Sequence, residues 1–279
     1  MTFQNRYLEL VKELETHSPK VDVYYELSRL KDELELDGTD NDTLNNTYLS
    51  LKMYHSAYKL LGKTINKQDT SNMKTYTKIA GLNKNYGNLL SKYIETEEEI
   101  KNKNLRYQIP TFKYHPNPLR TGAFEILDES EVCPACTKET MVIYSSMPYC
   151  IENVEHICPG CIADGTAALK YKATFSQSAE SNELIDKEKY SELFERTPGY
   201  ISWQGENWLT CCDDYCAYLG TVGTEELEDM DIADEVIEAY ERRNEYEDIR
   251  PYLTKDGHLC GYLFRCLKCH KYHLWVDAS

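Results

Sequence analysis

The sequence lacks two features that would direct a chain to a membrane or through it. No stretch reaches the roughly 18 consecutive apolar residues that a membrane-spanning helix needs. The opening residues, MTFQNRYLELVKEL, contain no basic start followed by an apolar run, which a secretory leader requires. We therefore expect a cytoplasmic protein with no membrane partner.

Cysteine is missing from the first part of the chain, because none of the 11 cysteines precedes Cys133. In a reducing compartment, a dense set of cysteines is more typical of metal ligands or free thiols than of disulfides. A cysteine-based site is therefore excluded before Cys133 and can lie only in residues 133–279.

Positive charge is scarce in the second part of the chain. Residues 1–105 contain 15 Lys and Arg against 16 Asp and Glu, whereas residues 106–279 contain 16 against 31, a balance of −15. A field of that sign repels nucleic acid and attracts basic proteins. We therefore expect no nucleic-acid partner and favour a cationic protein partner.

Familiar catalytic motifs are also absent: there is no Walker loop, nucleophile elbow or His-Glu-x-x-His. We expect a non-enzymatic protein. The competing hypothesis is a zinc-stabilised enzyme with a pocket around His115, Asp164 and Asp214, beside Trp208, which requires these groups to converge within hydrogen-bond reach. The structural interpretation favours a buried, hydrogen-bonded imidazole for His115 and helix capping for Asp164.

Residues 1–105 predict a helical domain. Apolar residues recur at helical spacing in segments 3–14, 23–34, 44–61 and 76–94. The third helix is expected to stop at Gly62, and the fourth to bend at Gly81 or Gly87. Short polar joints between amphipathic helices predict an antiparallel bundle, with the domain boundary near residue 105.

Residues 109–125, which follow, contain three prolines and no helical period. Proline restricts both itself and the preceding residue to extended backbone. We expect an extended strap that lies over the surface of the second domain.

The clearest site consists of two Cys-x-x-Cys pairs. Cys133 and Cys136 form the first, Cys158 and Cys161 the second, and 21 residues separate them. Each tight turn directs two thiolates inward, and two turns complete the tetrahedral shell that Zn²⁺ prefers. The spacing predicts a structural zinc site with no open coordination position.

The segments around these pairs predict the local fold. Residues 141–144 read as a strand, 145–148 as a turn before a second strand, and 162–171 as a helix. A knuckle, a hairpin and a cysteine pair at a helix start are typical of a treble clef. The predicted fold class is therefore α+β: a helical bundle, then a zinc-stapled, treble-clef-like domain over 106–279.

A second zinc site is predicted near the C-terminus, where another Cys-x-x-Cys pair lies. The predicted ligands are Cys212, Cys216, Cys266 and Cys269. Cys211 is an alternative to Cys212, since adjacent cysteines point in different directions, and His270 and His273 compete as ligands. The alternative to a metal site is a set of buried free cysteines.

Residues 225–248 are rich in carboxylates and carry apolar residues at roughly helical spacing. They predict an amphipathic helix whose outer face is either simply solvated or a docking surface for a cationic protein. Aromatic anchors beside such a surface supply affinity. The expected partner-binding residues are Trp203, Trp208, Glu225, Glu226, Glu228 and Asp229.

Five runs resemble the CbrC protein family of bacteria: PTFKYHPNPLRTGAFE, CPAC, CPGCIADGTAA, RTPGYISWQGENWLTCCDDYCAYLG and GYLFRCLKC. The resemblance covers residues 109–275 in order and leaves the helical part outside. It implies a zinc-binding, immunity-type protein, since the family's name is tied to tolerance of a nuclease colicin, and it carries over no catalytic residue. We hypothesise a protein that neutralises a basic, nuclease-type toxin by binding it.

Overall fold

The computed structural model describes residues 2–16, 20–66, 69–86, 97–180, 185–245, 247–255 and 257–279. The chain forms two compact units. Unit 1 comprises Met1–Glu97 and Asp229–Ile232, and unit 2 comprises Glu98–Glu228 and Ala233–Ser279. The boundary expected near residue 105 thus lies at the end of a helix that the structure assigns almost wholly to unit 2. Among the described helices, none combines the length and hydropathy that crossing a bilayer requires.

Unit 1 is helical, as expected. Its helices are α1 (Phe3–Glu13), α2 (Lys20–Asp37), α3 (Asn41–Ser50), α4 (Tyr54–Thr64) and α5 (Thr70–Tyr86). Each packs against the next along the chain. The buried leucines Leu27, Leu30 and Leu34 of α2 recur at helical spacing and lie at the centre of this packing.

The predicted third helix is in fact two helices, α3 and α4. The break is at Lys52, whose φ of 51° lies in the left-handed region. Gly62 does not end α4, which continues to Thr64, because one glycine costs a helix only about 1 kcal/mol. Gly81 lies within α5, and Gly87 lies outside the described residues together with positions 88–96.

Unit 2 combines helices with short, mostly antiparallel sheets, which confirms the α+β class. Its helices are α6 (Glu97–Arg106), α7 (Pro159–Ala163), α8 (Thr166–Tyr171), α9 (Lys187–Arg196), α10 (Thr224–Asp229) and α11 (Ala233–Asn244). Its strands are β1 (Phe124–Val132), β2 (Glu139–Tyr144), β3 (Ser178–Ala179), β4 (Asn207–Trp208), β5 (Thr210–Cys211), β6 (Asp214–Tyr215), β7 (Ala217–Val222), β8 (Leu259–Arg265) and β9 (Tyr272–Ala278).

Antiparallel pairs dominate unit 2. Strands β1 and β2 form one hairpin, β5 and β6 form a second, and β7, β8 and β9 form a sheet in that order. The hairpin expected after residue 144 does not form: β2 pairs back onto β1, and Tyr149 makes only an isolated bridge to Thr174.

Two predicted helices of unit 2 are each broken in two. The helix expected over 162–171 divides into α7 and α8 at Gly165, whose φ is 76°. The helix expected over 225–248 divides into α10 and α11 near Asp231, whose φ is 60°. Left-handed backbone cannot continue a right-handed helix, so each position ends one helix before the next begins.

The strap expected over 109–125 is not extended throughout, because residues 118–122 form a hydrogen-bonded turn, and it does not lie over the surface. Phe112 is 1% exposed, and Tyr114 and His115 are fully buried. The Tyr218 N–H of β7 donates to the Tyr114 carbonyl at 2.8 Å, so the strap lies along the edge of the sheet. Its side chains enter an aromatic core with Trp208, which itself has no exposed surface.

Candidate metal centres

The first cysteine cluster joins the β1–β2 turn to the start of α7. The sulfurs of Cys133, Cys136, Cys158 and Cys161 lie within 4.8 Å of one another. Two of the separations are 3.8 Å, from Cys133 to Cys161, and 3.9 Å, from Cys136 to Cys158. A tetrahedron of thiolates about 2.3 Å from a zinc ion has edges of about 3.8 Å, so the set fits such an ion.

Backbone hydrogen bonds form the turn that carries Cys133 and Cys136. The Cys133 N–H donates to the Lys138 carbonyl at 2.9 Å, and the Thr137 N–H donates to the Cys133 carbonyl at 2.8 Å. Thr137 has a φ of 61°, which closes the turn in the left-handed region. The Cys158 N–H lies 3.3 Å from the Cys133 sulfur and points a donor at it.

Donors around the first cluster favour negative sulfur. The Cys158 side chain, together with backbone N–H groups, lowers the pKa of Cys133 to about 4. Burial raises the pKa of Cys161 to about 12, and the neighbouring thiols of Cys136 and Cys133 contribute to the increase. The Lys170 ammonium donates to the Pro134 carbonyl at 2.6 Å and adds positive charge beside the turn.

The second cluster comprises Cys211, Cys212, Cys266 and Cys269, whose sulfurs also lie within 4.8 Å of one another. The Cys211 sulfur is 3.7 Å from each of the sulfurs of Cys212 and Cys269. These separations match the same tetrahedron. They also exceed a disulfide bond, about 2.05 Å, and all these cysteines are free thiols.

The β8–β9 turn repeats the backbone pattern of the first turn. The Cys266 N–H donates to the Lys271 carbonyl at 2.9 Å, and the His270 N–H donates to the Cys266 carbonyl at 3.1 Å. His270 has a φ of 61° and occupies the position of Thr137. Although burial opposes it, N–H donors of Cys269 and Lys268 lower the pKa of Cys266 to about 7.

Cys211 and Cys212 both belong to the second cluster because the chain makes a tight hairpin turn between Cys211 and Asp214. Cys211 pairs with Asp214, and the two residues of the turn, Cys212 and Asp213, have φ values of 50° and 62°. Positive φ at both central positions is the type I′ geometry of two-residue hairpins. This turn brings two adjacent thiols to one site, which a regular strand would direct to opposite faces.

The structure corrects one member of the predicted second set. Cys216 does not join the cluster; it is fully buried in the aromatic core, and its N–H donates to the Leu209 carbonyl at 2.9 Å. Cys211 takes its place. Among the described residues, neither His270 nor His273 belongs to either cluster.

His115 is a structural histidine. Its Nδ1 lies 2.9 Å from the Pro198 carbonyl, which accepts only, so Nδ1 carries the proton. Its Nε2 lies 2.6 Å from the Thr121 hydroxyl and accepts from it. Complete burial lowers the pKa of His115 to about 4. The expected buried, hydrogen-bonded imidazole is confirmed.

Asp214 is also committed to internal hydrogen bonds. It accepts from the Tyr114 hydroxyl at 2.7 Å, from the Lys113 ammonium at 2.8 Å and from the Tyr215 N–H at 2.9 Å. Although burial opposes it, the donors Lys113 and Tyr114 lower the pKa of Asp214. The carboxylate therefore anchors the strap to β6.

Asp164 is separate from these two groups. It follows α7, and its carboxylate accepts the Thr166 N–H at 2.9 Å, which satisfies a donor at the start of α8. Among the described residues, no hydrogen bond or ring contact joins Asp164 to His115 or Asp214. Asp164 is therefore not hydrogen-bonded to the other two candidates of the enzyme hypothesis.

The six residues expected to bind a partner differ in exposure and in their contacts. Trp208 is fully buried in the aromatic core and cannot face a partner, whereas Trp203 is 66% exposed. Glu225 and Glu228 are exposed. Glu226 instead accepts the Gly223 N–H at 2.8 Å and caps α10. Asp229 pairs with Lys52 within unit 1.

Sequence comparisons cover the region that contains both cysteine clusters. The sequence model of the Uncharacterised protein family (UPF0167) matches residues 109–278. A UPF0167 protein of Pseudomonas aeruginosa is 35% identical over 180 residues, which cover 61% of this chain and 98% of that protein. UPF0167 proteins of Mycobacterium bovis and Mycobacterium tuberculosis are each 34% identical over 184 residues, 62% of this chain and 95% of theirs. No solved structure matches the chain.

Proposed function

Since this chain belongs to the uncharacterised family UPF0167, we propose that it is a zinc-stabilised, non-enzymatic binding protein that neutralises a basic toxin by direct contact. The observation that carries the proposal is the pair of cysteine clusters, each with four sulfurs within 4.8 Å. Four protein thiolates fill a zinc shell and leave no position for a substrate. The metal is then a structural element, and function rests on the surface that it stabilises.

Zinc is the proposed ion because all eight ligands are cysteines. Thiolate sulfur selects soft or borderline ions, and four-cysteine tetrahedral shells are typical of structural zinc. Zinc held in this way supplies folding free energy. Cys133, Cys136, Cys158 and Cys161 would hold the first ion, and Cys211, Cys212, Cys266 and Cys269 the second.

A treble-clef-like arrangement of the first centre is part of the proposal. Support comes from the hairpin turn that carries one cysteine pair and from the second pair, which spans the first turn of α7. The hairpin lies before residue 144 and not after it as expected, because the turn that carries Cys133 and Cys136 itself connects β1 to β2.

The partner is proposed from charge and from the resemblance to the CbrC family, with a cytoplasmic site of action. Residues 106–279 carry a balance of −15, and two zinc centres with four thiolates each would add about −4. Both the carboxylates of α10 and α11 and the indole of Trp203 include exposed groups. Complementary charge accelerates encounter with a cationic protein, and an aromatic anchor adds affinity.

Elemental analysis of protein prepared without chelators tests the metal part. About two zinc ions per chain support both centres, and about one retains a single centre. A value near zero contradicts the proposal.

Binding and inhibition assays test the partner part, with the purified product of a toxin gene adjacent to the gene for this chain. The double variant Glu225→Gln/Glu228→Gln and the variant Trp203→Ala should weaken binding, whereas Glu9→Gln, an exposed carboxylate of unit 1, should not. Absence of toxin binding, together with enzymatic turnover that Asp214→Asn abolishes, would favour the enzyme hypothesis.

A further inference from the structure

A cavity of about 630 Å³ lies in unit 2 between α6 and the start of β1. Three of its side chains are cationic, namely Lys103, Arg106 and Arg120, and none of the described residues that line it is acidic. The surrounding sequence, residues 106–279, has nearly twice as many acidic as basic residues, 31 against 16. The charged side chains among the described lining residues are therefore basic, whereas the surrounding sequence is acidic.

The three cations that line the cavity come from two segments, α6 and the turn before β1. Lys103 and Arg106 are three residues apart in the last turn of α6, so they share one face of the helix. The Arg106 guanidinium carbon lies 5.4 Å from the centre of the Tyr107 ring, within cation–π range. Arg120, in the turn before β1, donates to the Leu219 carbonyl, a contact that fixes its guanidinium against β7.

Apolar side chains form the rest of the wall. Phe124 is 3% exposed and provides a rigid floor, whereas Ile126 is 43% exposed and Tyr107 is half-buried. Ligand sites typically have about 300–1,000 Å³ and combine apolar walls with a few convergent polar groups. This cavity meets both conditions.

We propose that this cavity binds a small organic anion with a planar apolar body. The three cations hold the anionic group, and the ring rests on the apolar wall. The site shares no residue with either cysteine cluster. Its α6 side precedes the region 109–278 that the family sequence model matches, so the complete site combines the UPF0167 region with the segment before it.

Anilinonaphthalene sulfonate, an aromatic anion whose fluorescence increases on binding, is a suitable probe of the full-length, zinc-loaded protein. We expect saturable binding at one site. Arg106→Ala and Lys103→Ala should each weaken binding roughly tenfold, the size of one lost charge-assisted contact. Arg106 is exposed, so its variant should retain the fold. Arg242→Ala, which removes an exposed arginine of α11, is the matched control and should leave binding unchanged.

Two further ligands separate the contributions of charge and ring. Inorganic phosphate should compete weakly, because it lacks the ring, and neutral phenylnaphthylamine should bind more weakly than the sulfonate. Ile126→Thr should weaken sulfonate binding but not phosphate binding. Equal binding of the neutral and anionic probes, unchanged affinity in the Arg106→Ala and Lys103→Ala variants, or no saturable binding would each overturn the proposal.

Discussion

The proton position on His115 is fixed by two neighbours with opposite roles. The Pro198 carbonyl can only accept, and the Thr121 hydroxyl then donates to the second ring nitrogen. A second proton on the ring would break the Thr121 contact and place a charge in a fully buried site. This residue is therefore a source of acid sensitivity rather than a catalytic base.

We predict that His115 lowers the stability of the protein in mild acid. Its folded-state pKa of about 4 lies below the ordinary value of 6.5, so the unfolded chain binds the proton more readily. Stability is fully present above pH 6.5 and is lost as the pH falls towards 4, by on the order of 3 kcal/mol. Denaturant unfolding at a series of pH values measures the loss.

His115→Asn is the control for this pH dependence, because the amide cannot titrate in the window but keeps a donor for the Pro198 carbonyl. The variant should be less stable than the parent at neutral pH, and the difference should narrow as the pH falls. A difference that stays constant between pH 7 and about 4.5 would contradict the assignment. Thiolate protonation affects both proteins alike and cancels in the comparison.

The two candidates for one ligand position, Cys211 and Cys216, give a second prediction. Cys211→Ser should reduce bound zinc from about two ions per chain to about one, because it removes a sulfur of the second cluster. Cys216→Ala should retain both ions and lose stability only through the small cavity in the aromatic core. Elemental analysis and thermal unfolding of both variants decide between them.

Residue-scale chemistry was predictable where it was local. Cys133 and Cys136 lie at one site because two residues of spacing suffice to form the turn. Cys216 was misassigned because the face to which a strand residue points depends on the register of β5 and β6, which the positive φ of Cys212 sets. The cations of the cavity had no sequence signal at all, since Lys103 and Arg120 converge only in the folded chain.

At the scale of elements, unit 2 uses one turn twice. The β1–β2 and β8–β9 turns have equivalent pairs of backbone hydrogen bonds, and in each turn the residue after the second cysteine has a left-handed backbone. That residue is Thr137 in one turn and His270 in the other. A side chain in the left-handed region costs roughly 1–2 kcal/mol, and glycine avoids this cost. The identity of His270 is therefore incidental to the turn.

We predict that His270→Gly keeps the second metal ion and does not lower thermal stability. If the imidazole were a ligand, the same change would release zinc and destabilise the domain. Thr137→Gly is the matched change in the first turn and should behave in the same way. Zinc content and melting temperature, measured on both variants, separate a turn residue from a ligand.

Element existence was predictable and element ends were less so. Helical periodicity located the helices of unit 1, but the break at Lys52 and the break at Asp231 involve residues that seldom adopt positive φ. At Lys52 the break is a helix cap: the Met53 N–H donates to the Tyr48 carbonyl at 2.8 Å and the Lys52 N–H to the Leu49 carbonyl at 3.0 Å. The break between α7 and α8 did have a local signal, the pair Asp164-Gly165, which is a frequent turn dipeptide.

At the scale of the whole molecule, the UPF0167 region is joined to a helical unit that the family match does not include. The relatives in Pseudomonas and Mycobacterium align over 95–98% of their own length but over only 61–62% of this chain. A region that constitutes almost a whole protein elsewhere contains its own core. The two core clusters of unit 2 and both cysteine clusters all lie after residue 106.

We predict that a fragment of residues 98–279 folds without the helical unit, binds about two zinc ions and unfolds in one cooperative transition. Its cores are internal to unit 2. Met230 and Ile232 belong to unit 1 and are buried in the full chain, so the fragment exposes them and should be somewhat less stable. Circular dichroism, calorimetry and zinc content test this prediction.

A strong chelator should unfold the fragment, because each centre joins segments distant in sequence. A fragment that stays folded without metal would show that the cores suffice, and one that never folds would show that unit 1 is an integral part of the domain.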